Sequence, residues 1–258
     1  MTRFVKMHAS GNDYVYIPIV GKVTAFSEPD RDWVKRICDR HMGVGADGVV
    51  YLIVGEQYRM VMYNADGSRG RICGNALRSI GALLDEEYNA AFPLVIATDA
   101  GLVCLSKIAG EQGGLYAVDM GVAKLMGIAD RESAYPLHLV DVGNRHAVCM
   151  AEADMLAKVA ERARLACAYE GLNVETYQVI DNRTLALQVN EYGTGRTMAC
   201  GSGACAVCFA ACHSGCCTFG LPIKVRMDGG EVAVVCHKDG AVTLIGDAHI
   251  VFRGEYID

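Results

Sequence analysis

The chain has 258 residues and a formal charge of −6, with no basic cluster and no basic run interleaved with aromatics, which argues against a nucleic-acid partner. Twelve cysteines, in a chain whose opening Met1 to Lys6 lacks the apolar core of a secretory signal, point to a reducing compartment such as the cytoplasm. No segment has the length and apolarity of a membrane span, and the length accommodates one large or two modest domains.

In chain order, β-branched or alternating runs predict strands at Tyr14–Ile17, Val49–Val54 and Leu94–Thr98, with helical periodicity at Asp32–Asp39 and Ala76–Glu87. Further along, a helix is expected over Ala151–Cys167, strands over Tyr177–Ile180 and Leu185–Val189, a helix over Ala204–Cys212 and a strand over Val232–Cys236. A helix in each half surrounded by strands makes the class α+β with mainly antiparallel sheet.

Two stretches look like copies of one design. Asn64-Ala65-Asp66-Gly67-Ser68 leads to Cys73-Gly74-Asn75-Ala76, and Asn190-Glu191-Tyr192-Gly193-Thr194 leads to Cys200-Gly201-Ser202-Gly203. Each is a turn-rich approach to a cysteine followed by helix formers, so both cysteines are expected where a helix begins. There the helix dipole and unpaired N–H groups favour the thiolate. Gly11-Asn12-Asp13 upstream of Cys73 and Gly143-Asn144-Arg145-His146 upstream of Cys200 extend the repeat to about half the chain, the scale of two homologous lobes. Two such thiols suggest a paired acid and base.

The cysteine run Cys200, Cys205, Cys208, Cys212, Cys216 and Cys217, with His213, has some zinc-like spacing. Positions 205, 208, 212 and 216 follow one helical stripe among Ala, Val and Phe, however, and thiols along one unbroken helix do not close a tetrahedron. A buried core helix is the better reading, and no metal is expected.

Several ordered segments carry a family resemblance: Met7-His8-Ala9-Ser10-Gly11-Asn12-Asp13-Tyr14, Asp39 to Gly48, Asn64 to Cys73, Thr98-Asp99-Ala100-Gly101, Gly143-Asn144-Arg145-His146, Glu191 to Cys200, and the Gly229-Gly230 and Gly246 to Gly254 segments. Over nearly its whole length the chain resembles the cofactor-independent amino-acid epimerases and racemases typified by diaminopimelate epimerase. The resemblance implies two pseudo-symmetric lobes, each a curled, mainly antiparallel sheet around a central helix. These are expected over 1–117 with Cys73 and 118–246 with Cys200, with 247–258 returning to the first lobe as a strand. It also implies a homodimer.

Inverting a stereocentre beside a carboxylate requires removing a weakly acidic Cα proton from one face and delivering one to the other. A thiolate and a thiol on opposite sides do both. Charge building on the carboxylate would be met by the N–H groups of Gly74, Asn75, Gly201 and Ser202 at two helix starts, so pyridoxal phosphate is unnecessary and no cofactor is expected. By resemblance, His146 and Glu191 tune the thiols, while Asn12, Asn64, Asn144 and Asn173 bind the amino-acid groups; judged alone, Asn64 is also a plausible turn cap and His146 a core histidine. His41 and Asp47, amid Gly43, Gly45 and Gly48, read as structural. The chain departs from the family at Tyr192, where the epimerases carry an arginine for the distal carboxylate of diaminopimelate, and at Arg145 and Arg196, which replace a proline and an acidic residue. Arg145 or Arg196 restores the lost cation, or the substrate is another amino acid such as histidine. The leading expectation is epimerisation of L,L- to meso-diaminopimelate, the lysine and cell-wall precursor. A cysteine hydrolase using Cys200 with His146, and a non-catalytic amino-acid binding protein, are weaker readings because both cysteines are retained.

Overall fold

The computed structural model describes residues 1–21, 26–108, 114–129, 134–152, 158–161, 171–192 and 195–257. The chain divides into two units, Met1–Val118 with Asp247–Asp258, and Asp119–Gly246.

In the first unit β1 (Thr2–Ala9) and β2 (Asn12–Val20) form a hairpin, and β2 runs parallel to β3 (Gly48–Val54). β3 pairs antiparallel with β4 (Tyr58–Asn64), which is antiparallel to the short β5 (Arg69–Gly70) and parallel to β6 (Leu94–Thr98). β6, β7 (Gly101–Ile108) and β8 (Leu115–Val122) form an antiparallel meander, and β18 (His249–Tyr256) lies antiparallel to β1.

Two helices pack on this sheet. α1 (Arg31–Cys38) is capped by Asp30, whose carboxylate accepts the Asp32 N–H, and it buries Val34 and Ile37 against Phe4, Val15, Ile17, Val49 and Val61. α2 (Gly74–Tyr88) is buried on all sides from Gly74 to Leu84 and ends on Asn89 in the left-handed conformation. Because helices lie against it, the middle of β2 is buried at consecutive positions, Tyr14 to Ile17, without the alternation of a half-exposed strand.

The second unit repeats this plan. β10 (Leu137–Asp141) and β11 (Arg145–Met150) form the hairpin, β11 is parallel to β12 (Asn173–Asp181), and β12 is antiparallel to β13 (Thr184–Glu191). β13 is antiparallel to the short β14 (Gly195–Thr197) and parallel to β15 (Pro222–Met227), after which β16 (Gly230–Cys236) and β17 (Ala241–Gly246) complete a meander. β9 (Lys124–Ala129) takes against β10 the place that β18 takes against β1. The central helix, α3 (Gly201–His213), is capped by Cys200 and is apolar all round, which fits a helix enclosed by sheet. Cys205, Cys208 and Cys212 are therefore core residues.

The fold is the expected α+β class, with more strands than periodicity signalled. β4, β7, β10 and β15 carry charged or mixed residues that blur the strand pattern, and only pairing with neighbours defines them. Of the helix expected over 151–167, residues 158–161 are helical; residues 153–157 and 162–170 lie outside the described residues. Among the described residues no helix is long and apolar enough to cross a membrane.

Candidate active site

Each unit places a cysteine at the mouth of its buried helix, with its sulfur acting as the N-cap. The Cys73 sulfur accepts the Ala76 N–H at 3.5 Å and the Cys200 sulfur accepts the Gly203 N–H at 3.3 Å. The backbone N–H groups of Gly74 and Asn75, and of Gly201 and Ser202, form the first turn of each helix, where the dipole favours an anion.

Around Cys73, Asn12 Oδ1 accepts from the thiol at 3.6 Å and from Asn75 Nδ2 at 3.4 Å, while the Tyr14 hydroxyl donates to the sulfur at 3.7 Å. Asn12 is held from behind, its amide donating to Asp47 Oδ2 at 2.9 Å, which also accepts the Asp13 N–H. Arg40 bridges Asp13 and Asp47, and buried Lys6 pairs with Asp13. Burial alone would raise the Asp13 carboxyl, but Arg40 and Lys6 hold it down to about 2; Asp47 is raised by burial and by the Asp13 charge. Asn75 is fixed in turn by Arg78, a fully buried guanidinium that donates to Asn75 Oδ1 at 2.7 Å, Ser10 Oγ at 3.2 Å and the Asp247 carbonyl at 3.0 Å.

Around Cys200 a chain of hydrogen bonds runs inward. The sulfur and Ser202 Oγ are 3.3 Å apart, Asn144 Nδ2 donates to Ser202 Oγ at 3.3 Å, His146 Nε2 meets Asn144 Oδ1 at 3.0 Å, and His146 Nδ1 meets Glu175 Oε1 at 2.8 Å. With the Asn144 amide oriented to donate to Ser202, Nε2 carries a hydrogen. His146 and Glu175 are both completely buried. Glu191 accepts from Thr197 Oγ1 at 2.6 Å, and Asn173 Oδ1 accepts the Tyr192 N–H at 3.0 Å. Burial, reinforced by the Glu191 and Glu175 charges, pushes the Cys200 thiol well above its ordinary range, against the hydrogen bonds from Ser202 and Gly203. The thiolate expected at this helix start is thus overruled, because removing a full charge from water outweighs a terminal dipole.

Strand register corrects the alignment of the two copies. Gly48 pairs with Asn64 in the first unit, and in the second Val174 pairs with Asn190, so Asn173 stands at the place of Gly48 and Glu191 at that of Asn64. Asn64 and Glu191 each lie nine positions before their cysteine. Asn64 itself closes the turn to Ser68, donating to its hydroxyl at 2.9 Å. Arg69 and Arg196 are counterparts too, each on the short strand before its cysteine and each clamped to an aspartate in the next hairpin turn, Asp99 or Asp228. Arg196 thus pairs with Asp228 at the surface. The Tyr192 and Arg145 side chains are exposed, Tyr192 by 62%; residues 193–194 lie outside the described residues.

Tyr14, Arg78, Glu175 and Gly203 join the site without a sequence motif that assigns them a role there. No spacing singles out Glu175 between Val174 and Thr176. Its signal is Gly203, where an added Cβ would lie 2.6 Å from Glu175 Oε1, so only glycine lets α3 approach the carboxylate.

Two units of one topology, each with a cysteine capping its buried helix, define a duplicated α+β fold of the epimerase and racemase type. Solved structures share it: a predicted epimerase from Pseudomonas aeruginosa matches with a TM-score of 0.78 at 16% identity over 100% of both chains. A hydroxyproline epimerase from Agrobacterium vitis matches with 0.72 at 13% identity over 100% of this chain and 93% of the other. At such identities the likeness speaks for fold. The family model for diaminopimelate epimerase matches residues 4–126 and 138–251. Diaminopimelate epimerases from Methanococcus maripaludis and Magnetococcus marinus are 31% and 34% identical, over 98% and 99% of this chain and 99% and 97% of their own lengths. The chain belongs to the diaminopimelate epimerase family and is an isomerase.

Proposed function

We propose that the enzyme epimerises the α-carbon of diaminopimelate, interconverting the L,L and meso forms, with Cys73 and Cys200 as the base and acid on the two faces of that carbon. The observation that carries this reading is the duplicated thiol cap: each sulfur sits at the start of a buried helix and is linked to the asparagine of its own hairpin, Cys73 directly to Asn12 and Cys200 through Ser202 to Asn144. The full-length relatives named for this activity supply the substrate.

Burial and the Glu191 and Glu175 charges favour the thiol form of Cys200, which suits it to be the acid for the isomer whose α-proton Cys73 removes, the roles reversing for the other isomer. As Cys73 takes the proton, negative charge spreads from Cα onto the carboxylate, and the N–H groups of Gly74 and Asn75, with those of Gly201 and Ser202, stabilise it. Cys200 then gives its proton to the opposite face. The two sulfurs end with exchanged protonation, and the carboxylates beside Cys200 favour its return to the thiol. Asn12, Asn144 and Asn173 orient the amino-acid groups, and His146 and Glu191 set the protonation of Cys200. No cofactor enters the scheme.

A second reading is a racemase of a monocarboxylic amino acid such as histidine. It is favoured by Tyr192, which offers no bidentate partner to a distal carboxylate, and by the engagement of Arg196 with Asp228; Arg145 is the remaining candidate cation. The thiol-rich composition suits the cytoplasm, and a homodimer follows from the family resemblance.

The test incubates the enzyme with L,L- and meso-diaminopimelate and a panel of L-amino acids in heavy water. Deuterium at Cα with loss of optical purity is expected on diaminopimelate, and Cys73→Ala and Cys200→Ala should each fall below about a hundredth of the wild-type rate, since a general acid or base contributes ~10²–10⁴-fold. Epimerisation that survives either substitution at more than about a hundredth of the wild-type rate defeats the two-thiol reading, and turnover of a monocarboxylic amino acid alone replaces the substrate.

A further inference from the structure

The duplication makes Tyr14 and His146 counterparts. Each lies two positions after its asparagine, Asn12 or Asn144, on the second strand of its hairpin, and opposite the first residue of the parallel strand, Gly48 or Asn173. Their connections to sulfur differ. His146 reaches Cys200 through Asn144 and Ser202, whereas the Tyr14 hydroxyl donates directly to the Cys73 sulfur at 3.7 Å.

We propose that Tyr14 is the hydrogen-bond donor that holds the Cys73 sulfur in its anionic, proton-accepting form. The inference deepens the reading above, resting on Cys73 acting as the base. Three of its contacts suit the sulfur to both protonation states. As a thiol it gives its hydrogen to Asn12 Oδ1 at 3.6 Å; as a thiolate it keeps two donors, the Ala76 N–H at 3.5 Å and the Tyr14 hydroxyl. Burial, and next the neighbouring Cys73 charge, raise the Tyr14 phenol well above its ordinary range, so it retains its hydrogen wherever the thiol ionises. Among the described residues, the titratable groups that act on it most are Cys73 at the head of α2, Tyr16 on its own strand and Asp47 before β3.

The ring has little room to move. It packs edge-on against Tyr16 with centroids 6.3 Å apart, and a Cβ at Gly48 would come within 2.8 Å of it, so the glycine that opens β3 leaves space for this ring. A donor fixed before the thiolate forms needs no reorganisation when charge appears.

The decisive variant is Tyr14→Phe, which removes one hydroxyl from a buried ring, with Tyr16→Phe as a control that removes a phenol bonded to the Ala76 carbonyl instead. Alkylation of Cys73 by iodoacetamide is followed against pH by peptide mass spectrometry, a readout that needs no turnover. In Tyr14→Phe the midpoint should rise by about one pH unit, slowing alkylation below it by roughly tenfold, the lower end for a hydrogen bond to a charged group. Tyr16→Phe should leave it in place. Should Tyr14→Phe not fold, fluorotyrosine at this position, a stronger donor, should lower the midpoint. An unmoved midpoint in Tyr14→Phe, or an equal shift in Tyr16→Phe, overturns the proposal. A shifted midpoint in an enzyme that exchanges no α-proton would instead sink the proposed function while leaving the Tyr14–Cys73 bond standing.

Discussion

Replacing Gly203 with alanine should lower activity as well as stability. The added methyl would stand 2.6 Å from Glu175 Oε1 and 3.0 Å from the carbons behind it. Glu175 is completely buried and held by His146 at 2.8 Å, so it is not a flexible end that swings aside. Forcing a methylene-sized group into packed surroundings costs about 1–3 kcal/mol. Alanine returns up to about 1 kcal/mol through helix propensity. The net loss is then roughly 0–2 kcal/mol, a fall in Tm of at most about 8 °C for a chain of this size. Activity has no such offset. The clash is relieved by moving the first turn of α3, which carries the Gly203 N–H and the Cys200 sulfur 3.3 Å from it, or by tilting His146 and with it Asn144 and Ser202. Displacement of a reacting group by ~1 Å costs about 10²-fold, so shifts of a few tenths should lower kcat/KM by roughly four- to tenfold. Thermal unfolding and α-proton exchange in heavy water measure both halves. Adding Glu175→Asp, one methylene shorter, should recover part of the stability. A Gly203→Ala enzyme with unchanged kcat/KM would show that Glu175 does not set the position of α3.

Alkaline pH should destabilise the protein through its buried thiols. Burial pushes Cys217 up to about 11, Cys38 up to about 12, and Cys200 and Cys208 well above the ordinary range. The folded chain keeps these protons while the unfolded chain releases them near ~8.5, so their contribution is complete below that pH and is lost as pH rises toward 11 and 12, by at most about 1.4 kcal/mol per unit per thiol. Urea unfolding at pH 8 and pH 10 should show the decline, and a flat profile would refute it. Tyr192→Arg should lower KM for diaminopimelate with little change in kcat, because it supplies a bidentate partner away from the reacting carbon; Arg145→Ala should raise it if Arg145 already grips that carboxylate. An unchanged KM in both variants would mean that the distal carboxylate is bound elsewhere.

The thiol-capped helices were legible because capping is local: turn residues, then a cysteine, then helix formers. The alignment of Asn64 with Asn190 failed because it matched turn letters, whereas pairing of β3 with β4 and of β12 with β13 fixes the counterparts and puts Glu191 opposite Asn64 in the plan. Tyr14 and Glu175 were invisible for a related reason. Tyr14 opens an apolar run that reads as core and Glu175 stands in a mixed strand with no motif around it, and the chemistry of each arises from contact with a helix start 59 and 28 positions away. The raised thiol of Cys200 is not legible in composition, because it arises from burial of the sulfur with the charges of Glu191 and Glu175 near it.

The pairing of β1 with β18 also orders the birth of the molecule. Thr2 waits for Tyr256, so the edge of β1 stays open to other strands until nearly the whole chain has been synthesised, whereas residues 119–246 are contiguous and can close as soon as they emerge. That wait is the longest loop closure in the fold and a natural candidate for its slowest step. Moving the β18 segment ahead of β1 through a short turn would make the pairing local and should speed refolding without altering either thiol.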